Sequence, residues 1–83
     1  MMEYCIDFSN VASARTFHEI LAHTMEFPEW YGHNLDALYD CLTETEGRLV
    51  LRNWNDAADF SAGFREVFLD AQEENPDFSV LFQ

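Results

Sequence analysis

Each segment of this chain that has the pattern of a β-strand is separated from the next by at least one segment with the pattern of a helix. The strand patterns are the alternation in residues 2–8, the apolar run in 48–53 and the short apolar stretch 78–82. Strands joined through helices cannot be hairpin partners, so the sheet is expected to be parallel. The sequence therefore predicts an α/β fold with a three-stranded parallel sheet in the order β-α-α-β-α-β.

The first two helices are predicted between the first and second strands. Residues 14–26 have apolar side chains at helical spacing, with Ser13 as the N-cap, and Pro28 ends this helix. Residues 35–44 form the second predicted helix, and Asn34 is its N-cap. The two helices account for most of the first connection.

The third helix is predicted between the second and third strands. It is expected to begin at Asn55 or Asp56 and to end at Asn75 and Pro76. Gly63 lies inside it and is expected to split it into two short pieces. The fold would then contain three helices, or four if the split occurs.

The charge of the chain is extreme for its size. Its 83 residues include 16 Asp and Glu against four Arg, which gives a formal net charge of −12. Because 48% of the residues are hydrophobic, the chain is expected to fold as one domain over residues 1–83 rather than to be disordered. Self-repulsion costs stability, so the charge serves either solubility or attraction to a basic partner. Direct binding to nucleic acid is disfavoured, because a phosphate backbone requires a basic patch.

The cysteines and the N-terminus indicate the cellular context. Cys5 and Cys41 have neither redox nor zinc spacing, and both are expected to be free, buried thiols. No signal peptide or membrane-spanning segment is recognisable in the sequence. We therefore expect a cytoplasmic protein that contacts no membrane and needs no metal or cofactor.

The second predicted helix has one apolar and one acidic side. At 100° per residue, Asp36, Asp40 and Thr43 lie within a narrow arc, with Glu44 beside them. Asp36 favours the positive end of the helix dipole, whereas Asp40 and Glu44 lie towards the unfavourable end. A solvated surface alone could also explain these acids. The side predicted to face the core consists of Leu35, Leu38, Tyr39 and Leu42, with Cys41 beside them.

The loop before this helix carries two adjacent aromatic residues. Tyr31 is expected in the core, and Trp30 is expected to be at least partly exposed. Gly32 is expected to supply an unusual backbone angle. An exposed aromatic residue beside carboxylates would suit the centre of a protein interface.

Residues 27–43, FPEWYGHNLDALYDCLT, resemble the signature of the barstar family of ribonuclease inhibitors. The match includes the loop, Asn34, both aspartates and Cys41. Weaker agreement extends over nearly the whole chain, through His18, the second strand, and Phe68, Asp70 and Ala71 in the third helix.

The resemblance implies an intracellular immunity protein that blocks the active site of a basic ribonuclease, either guanyl-specific or of the toxin type in a toxin–antitoxin pair. By the family pattern, Trp30 packs near the base-binding side, Asp36 pairs with basic residues, and Asp40 enters the phosphate site. Thr43 adds a hydrogen bond there, and Asp70 takes the place of a peripheral glutamate. The candidate partner-binding residues are Trp30, Asn34, Asp36, Tyr39, Asp40, Thr43, Glu44 and Asp70.

The chain also departs from the family pattern. Glu44, Thr45 and Glu46 replace a glycine and an aromatic residue, Tyr39 replaces a more usual Trp, and His33 stands where an acid is common. These differences concern the predicted contact surface, so they leave the identity of the nuclease open.

Besides inhibition, the sequence leaves one other function open and disfavours a third. The chain could be an acidic binding module, monomeric when free, that docks on another basic protein without occluding a catalytic site. An enzyme is disfavoured, because His18, His23 and His33 form no catalytic triad or metal-ligand spacing.

Overall fold

The computed structural model describes residues 2–83 and contains one three-stranded sheet. Its strands are β1 (Glu3–Asp7), β2 (Gly47–Arg52) and β3 (Phe78–Phe82). They lie in the order β1-β2-β3, and both neighbouring pairs are parallel. The predicted α/β class and the order β-α-α-β-α-β are confirmed.

The helices are α1 (Ala14–Thr24), α2 (Leu35–Leu42) and α3 (Ser61–Glu74), and a short 3-10 turn (Phe8–Asn10) follows β1. Both predicted N-caps are present: Ser13 accepts a hydrogen bond from the Thr16 amide, and Asn34 accepts one from the Ala37 amide. These bonds satisfy amides that the first turn of a helix leaves free. Each of the first two helices ends two residues earlier than predicted.

The predicted start of the third helix is wrong. The side chain of Asn55 accepts a hydrogen bond from the Ala57 amide 3.0 Å away, which closes a tight turn instead of capping a helix. The carbonyl of Asn55 also accepts a hydrogen bond from the Ser61 hydroxyl. These contacts keep the chain in successive turns, and α3 begins only at Ser61.

Gly63 does not split α3, which runs unbroken from Ser61 to Glu74. A Cβ atom at this position would lie 3.1 Å from Cδ1 of Leu35, so the glycine lets α2 approach α3 closely. The other ends of the two helices are also joined, because Asn75 donates hydrogen bonds to the carbonyls of Leu42 and Thr45. The helices α2 and α3 therefore run side by side in the same direction.

Large apolar side chains pack between the helices and one face of the sheet. Phe17 of α1 lies at the centre, with ring centroids 4.6 Å from Phe64 and 5.3 Å from Phe8. Within residues 2–83, the largest fully buried apolar side chains are those of Phe17, Leu21, Leu38, Leu42, Leu49, Leu51, Phe68 and Phe78.

No helix within residues 2–83 covers the opposite face of the sheet. Cys5, Val50 and Leu81 are paired across the three strands and form a row on this face. Leu81 is 41% exposed. The prediction of two buried thiols is therefore wrong for Cys5, because strand alternation directs its side chain to this open face. Cys41 is buried, as predicted.

Candidate partner-binding surface

Three carboxylates, Asp36, Asp40 and Glu44, follow α2 at intervals of four residues, and all three are exposed. We call them the α2 row. Like charges at this spacing repel each other by roughly 0.2–0.5 kcal/mol per pair. Within residues 2–83, none of the three makes an ion pair. The ion pairs lie elsewhere, between Arg15 and Glu19, Arg48 and Glu3, and Arg65 and Asp56.

The opposite side of α2 holds the row in place. Leu38 and Leu42 are fully buried and Cys41 is nearly so. Leu35 is 36% exposed and lies at the edge of the core against α3, so the prediction that it faces the core holds only in part. Burial raises the pKa of the Cys41 thiol, and the nearby charges of Glu44 and Asp40 raise that pKa further.

Hydrogen bonds fix the polar residues at the two ends of α2. Asn34 accepts from the Ala37 amide over 2.8 Å, and its amide donates to the Gly32 carbonyl over 3.3 Å. The Thr43 hydroxyl donates to the carbonyl of Asp40 over 2.8 Å. Thr43 therefore offers a partner its oxygen lone pairs rather than a free donor.

The loop 27–34 leads directly into the α2 row. Trp30 is 61% exposed and Tyr31 is only 5% exposed, as the sequence predicts. The expectation for Gly32 is wrong, because the positive φ of 54° belongs to His33. The absence of a side chain at Gly32 leaves room for Asn34, because a Cβ there would lie 2.9 Å from the side-chain nitrogen Nδ2 of Asn34.

The candidate surface extends from α2 towards α3. Tyr39 lies four residues after Leu35 and is half-buried on the side of α2 that faces α3. Asp70 is exposed. It lies seven residues after Gly63, nearly two turns along, and is therefore on the same side of α3 as Gly63, the side that faces α2. The structure thus places all eight candidate residues on α2, on the loop before it, on the residues that follow it, or on the neighbouring side of α3.

A second acidic row accompanies the first and was not predicted. Glu66, Asp70 and Glu74 repeat at intervals of four residues along α3 and are exposed. This spacing is visible in the sequence, but the parallel course of α2 and α3 is not. We call these three residues the α3 row.

A buried contact between α1 and the loop was also not predicted. Nδ1 of His18 lies 2.5 Å from the hydroxyl oxygen of Tyr31, and each residue is 5% exposed. The two residues are 13 positions apart on different elements. No periodicity in the sequence indicates that they meet.

No group of three or more His, Cys, Asp or Glu side chains within residues 2–83 is arranged to hold a metal ion. No helix in this range is long and apolar enough to cross a membrane.

Comparison with known proteins identifies the family of the chain. Residues 1–83 match the family model described as Barstar (barnase inhibitor). The chain is also 34% identical over 91 aligned residues to a protein of Bacillus subtilis (strain 168) named "Putative ribonuclease inhibitor YrdF". That alignment covers 100% of both chains.

Proposed function

Because the chain belongs to the barstar family, we propose that it is an intracellular immunity protein that blocks the basic active site of a ribonuclease. Family membership indicates an inhibitor rather than an enzyme. The partner in this proposal is a ribonuclease of the guanyl-specific or toxin type, and α2 with the loop 27–34 forms the blocking surface.

The unpaired α2 row is the observation that carries this proposal. Asp40 and Glu44 repel each other and lie near the end of a helix, where the dipole disfavours acids. No side chain of residues 2–83 compensates them by an ion pair. A partner that supplies Arg, Lys or His at this surface would convert the repulsion into attraction.

The active site of a ribonuclease has the matching chemistry. It must bind an RNA phosphate, so it presents cationic side chains at close range. A carboxylate on a rigid helix can occupy the phosphate position, and an Arg can hold it through two parallel hydrogen bonds. Asp40 has no scissile bond, so the enzyme has nothing to cleave.

The remaining candidates surround Asp40 in this proposal. Trp30 supplies an exposed aromatic surface at one end, while Asp36 and Glu44 add charge on either side. Asn34 keeps the first turn of α2 in place through its cap. The contacts proposed at the periphery are those of Tyr39, Thr43 and Asp70.

The test compares two variants that each remove one negative charge. Asp40→Asn removes the charge from the α2 row, which is proposed to enter the active site, whereas Glu3→Gln removes a charge from the open face of the sheet. With a purified guanyl-specific bacterial ribonuclease, we expect Asp40→Asn to weaken inhibition by about 30-fold or more, because it leaves a buried cation unpaired. Glu3→Gln should change it by less than about threefold, since exposed pairs contribute little.

Equal effects of the two variants would contradict the proposed mechanism. A complex in which the nuclease still cleaves a dinucleotide substrate would contradict active-site blocking, and would indicate a binding module instead. Affinity should also fall as salt rises, because the attraction is between charged surfaces.

A further inference from the structure

Tyr31 connects the loop 27–34 to the body of the protein. Its ring centroid lies 4.9 Å from that of Phe27 and 5.0 Å from that of His33, and its amide donates to the Pro28 carbonyl over 3.0 Å. Its carbonyl is 3.1 Å from Nδ1 of His33. Tyr31 therefore organises the residues on both sides of the exposed Trp30.

The hydroxyl of Tyr31 is held from α1. Among the side-chain hydrogen bonds that the loop makes within residues 2–83, only the one to His18 reaches beyond the loop and the first turn of α2. On its other side, the His18 ring lies 4.8 Å from the ring of Phe64 in α3. The imidazole is thus enclosed between the loop and an apolar ring.

We propose that His18 is a positioning residue of the inhibitor: its neutral imidazole holds Tyr31, and its protonation releases the loop that carries Trp30. This inference rests on the proposed function for its effect on binding, but the loop movement itself can be measured in the free protein. Protonation of His18 at low pH would therefore lower the affinity for the nuclease through a change within the inhibitor, independently of any titration of the nuclease.

The surroundings of His18 oppose its protonation. Burial lowers the pKa of His18, and the neighbouring His33 lowers it further. Burial also raises the pKa of Tyr31, so its hydroxyl keeps its proton. On α1, Arg15 and Glu19 pair with each other over 3.4 Å, which leaves little net charge near the imidazole.

Among the described residues, the remaining elements around this contact place no negative charge against His18. The nearby α2 group is the Cys41 thiol, whose raised pKa keeps it neutral. The nearby α3 group is the ring of Phe64. An imidazolium at His18 would therefore be a buried charge without a counter-ion, and its cost favours the open loop.

The first experiment uses the free protein. Nuclear magnetic resonance should show the backbone amides of residues 29–34 changing with the same midpoint as the His18 ring, below pH 6.5. Tyr31→Phe removes only the hydroxyl and should raise amide hydrogen exchange in this loop at pH 8. The proposal would be overturned if the loop amide resonances do not change with the His18 titration. It would also be overturned if the loop amides of Tyr31→Phe stay as protected from hydrogen exchange as those of wild type.

The second experiment measures binding to a guanyl-specific bacterial ribonuclease from pH 8 to pH 5. His18→Gln keeps a hydrogen-bonding side chain but takes up no proton, so the nuclease's own titration cancels in the ratio of wild-type to variant dissociation constants. Below the His18 pKa, this ratio should rise by up to about tenfold per pH unit, because one proton is linked to release. A ratio that stays constant with pH contradicts the role of His18 in binding.

Two matched variants control for other histidines. His23→Gln changes an exposed histidine on the same helix, and His33→Gln changes the exposed histidine of the loop. The dissociation constant of each should vary with pH as that of wild type does, although the midpoint for His33→Gln should move to higher pH, because His33 lowers the pKa of His18. If His33→Gln abolishes this pH dependence, the switch belongs to His33 and the proposal fails. If the nuclease binds at no pH, the proposed function fails, while the amide measurements still decide the positioning role.

Discussion

The side-chain amide of Asn75 donates a hydrogen bond to the backbone carbonyl oxygen of Leu42 over a distance of 3.0 Å. Leu42 ends α2, and Asn75 follows α3 directly, so this bond joins the ends of two neighbouring helices. It adds a second hydrogen bond to a carbonyl that also accepts one from the Thr45 amide over 3.1 Å. The α2 row and the α3 row are thereby held in fixed relation.

Replacement of Asn75 should loosen this junction. Asn75→Ala removes the side-chain donor that the carbonyls of Leu42 and Thr45 share, and we expect the free energy of unfolding to fall by about 1–3 kcal/mol. Asn75→Asp keeps the acceptor for the Asp77 amide but loses the donor. Urea unfolding followed by circular dichroism should therefore show both variants destabilised. A stable Asn75→Asp would show that the donor is unimportant.

Gly47→Ala should destabilise the protein strongly. Gly47 has a φ of +141°, and a Cβ atom there would lie 2.6 Å from the carbonyl oxygen of Met2. Because that oxygen belongs to the backbone, it cannot move aside as a side chain could. We expect a loss of about 2 kcal/mol or more in thermal or urea unfolding. Wild-type stability would contradict the backbone conformation described for Gly47.

Gly63→Ala should have the opposite effect. Its Cβ would meet only the end of the Leu35 side chain, which is partly exposed and free to adjust. Alanine is favoured over glycine inside a helix by about 0.5–1 kcal/mol, so unfolding should shift to higher urea. Gly63→Leu should reverse this gain, because a larger side chain would push α2 away from α3.

The two thiols should differ in reactivity. Cys5 is exposed on the open face of the sheet, whereas Cys41 is buried, and its raised pKa keeps its sulfur protonated and therefore unreactive. In the native protein, Ellman's reagent should modify one thiol rapidly, and Cys5→Ser should abolish that phase. Denaturant should expose the second thiol. Rapid reaction of two thiols in native protein would contradict the burial of Cys41.

Stability should decrease on mild acidification. The pKa of His18 is lower in the folded protein than its ordinary value of 6.5. Between the two values the unfolded chain binds more protons, so the free energy of unfolding falls as pH drops below about 6.5. His18→Gln should flatten this part of the profile relative to His23→Gln. An identical slope in both variants would show that another group is responsible.

The sequence predicts the fold more completely than the surface. Strand alternation and the caps at Ser13 and Asn34 are local patterns, and both caps are confirmed. Two local expectations are wrong. Asn55 closes a turn instead of starting a helix, and Gly63 lies inside an unbroken α3 at a point where Leu35 of α2 comes close.

The candidate surface was predictable only where it follows one helix. The spacing of the α2 row can be counted in the sequence, but its lack of ion pairs depends on every element around it. Likewise, the contact of His18 with Tyr31 requires knowledge of how α1 packs against the loop. Such long-range contacts arise from tertiary packing, which no short pattern records.

The open face of the sheet differs in charge from the surface formed by α2 and α3. Its exposed acids Glu3 and Asp7 are balanced by Arg48 and Arg52, so this face is close to neutral, while the rows on α2 and α3 are wholly negative. This separation gives the molecule a dipole moment. In the field of a basic protein the dipole experiences a torque that turns α2 and α3 forward before contact. A larger fraction of the collisions then occurs in the orientation that leads to binding.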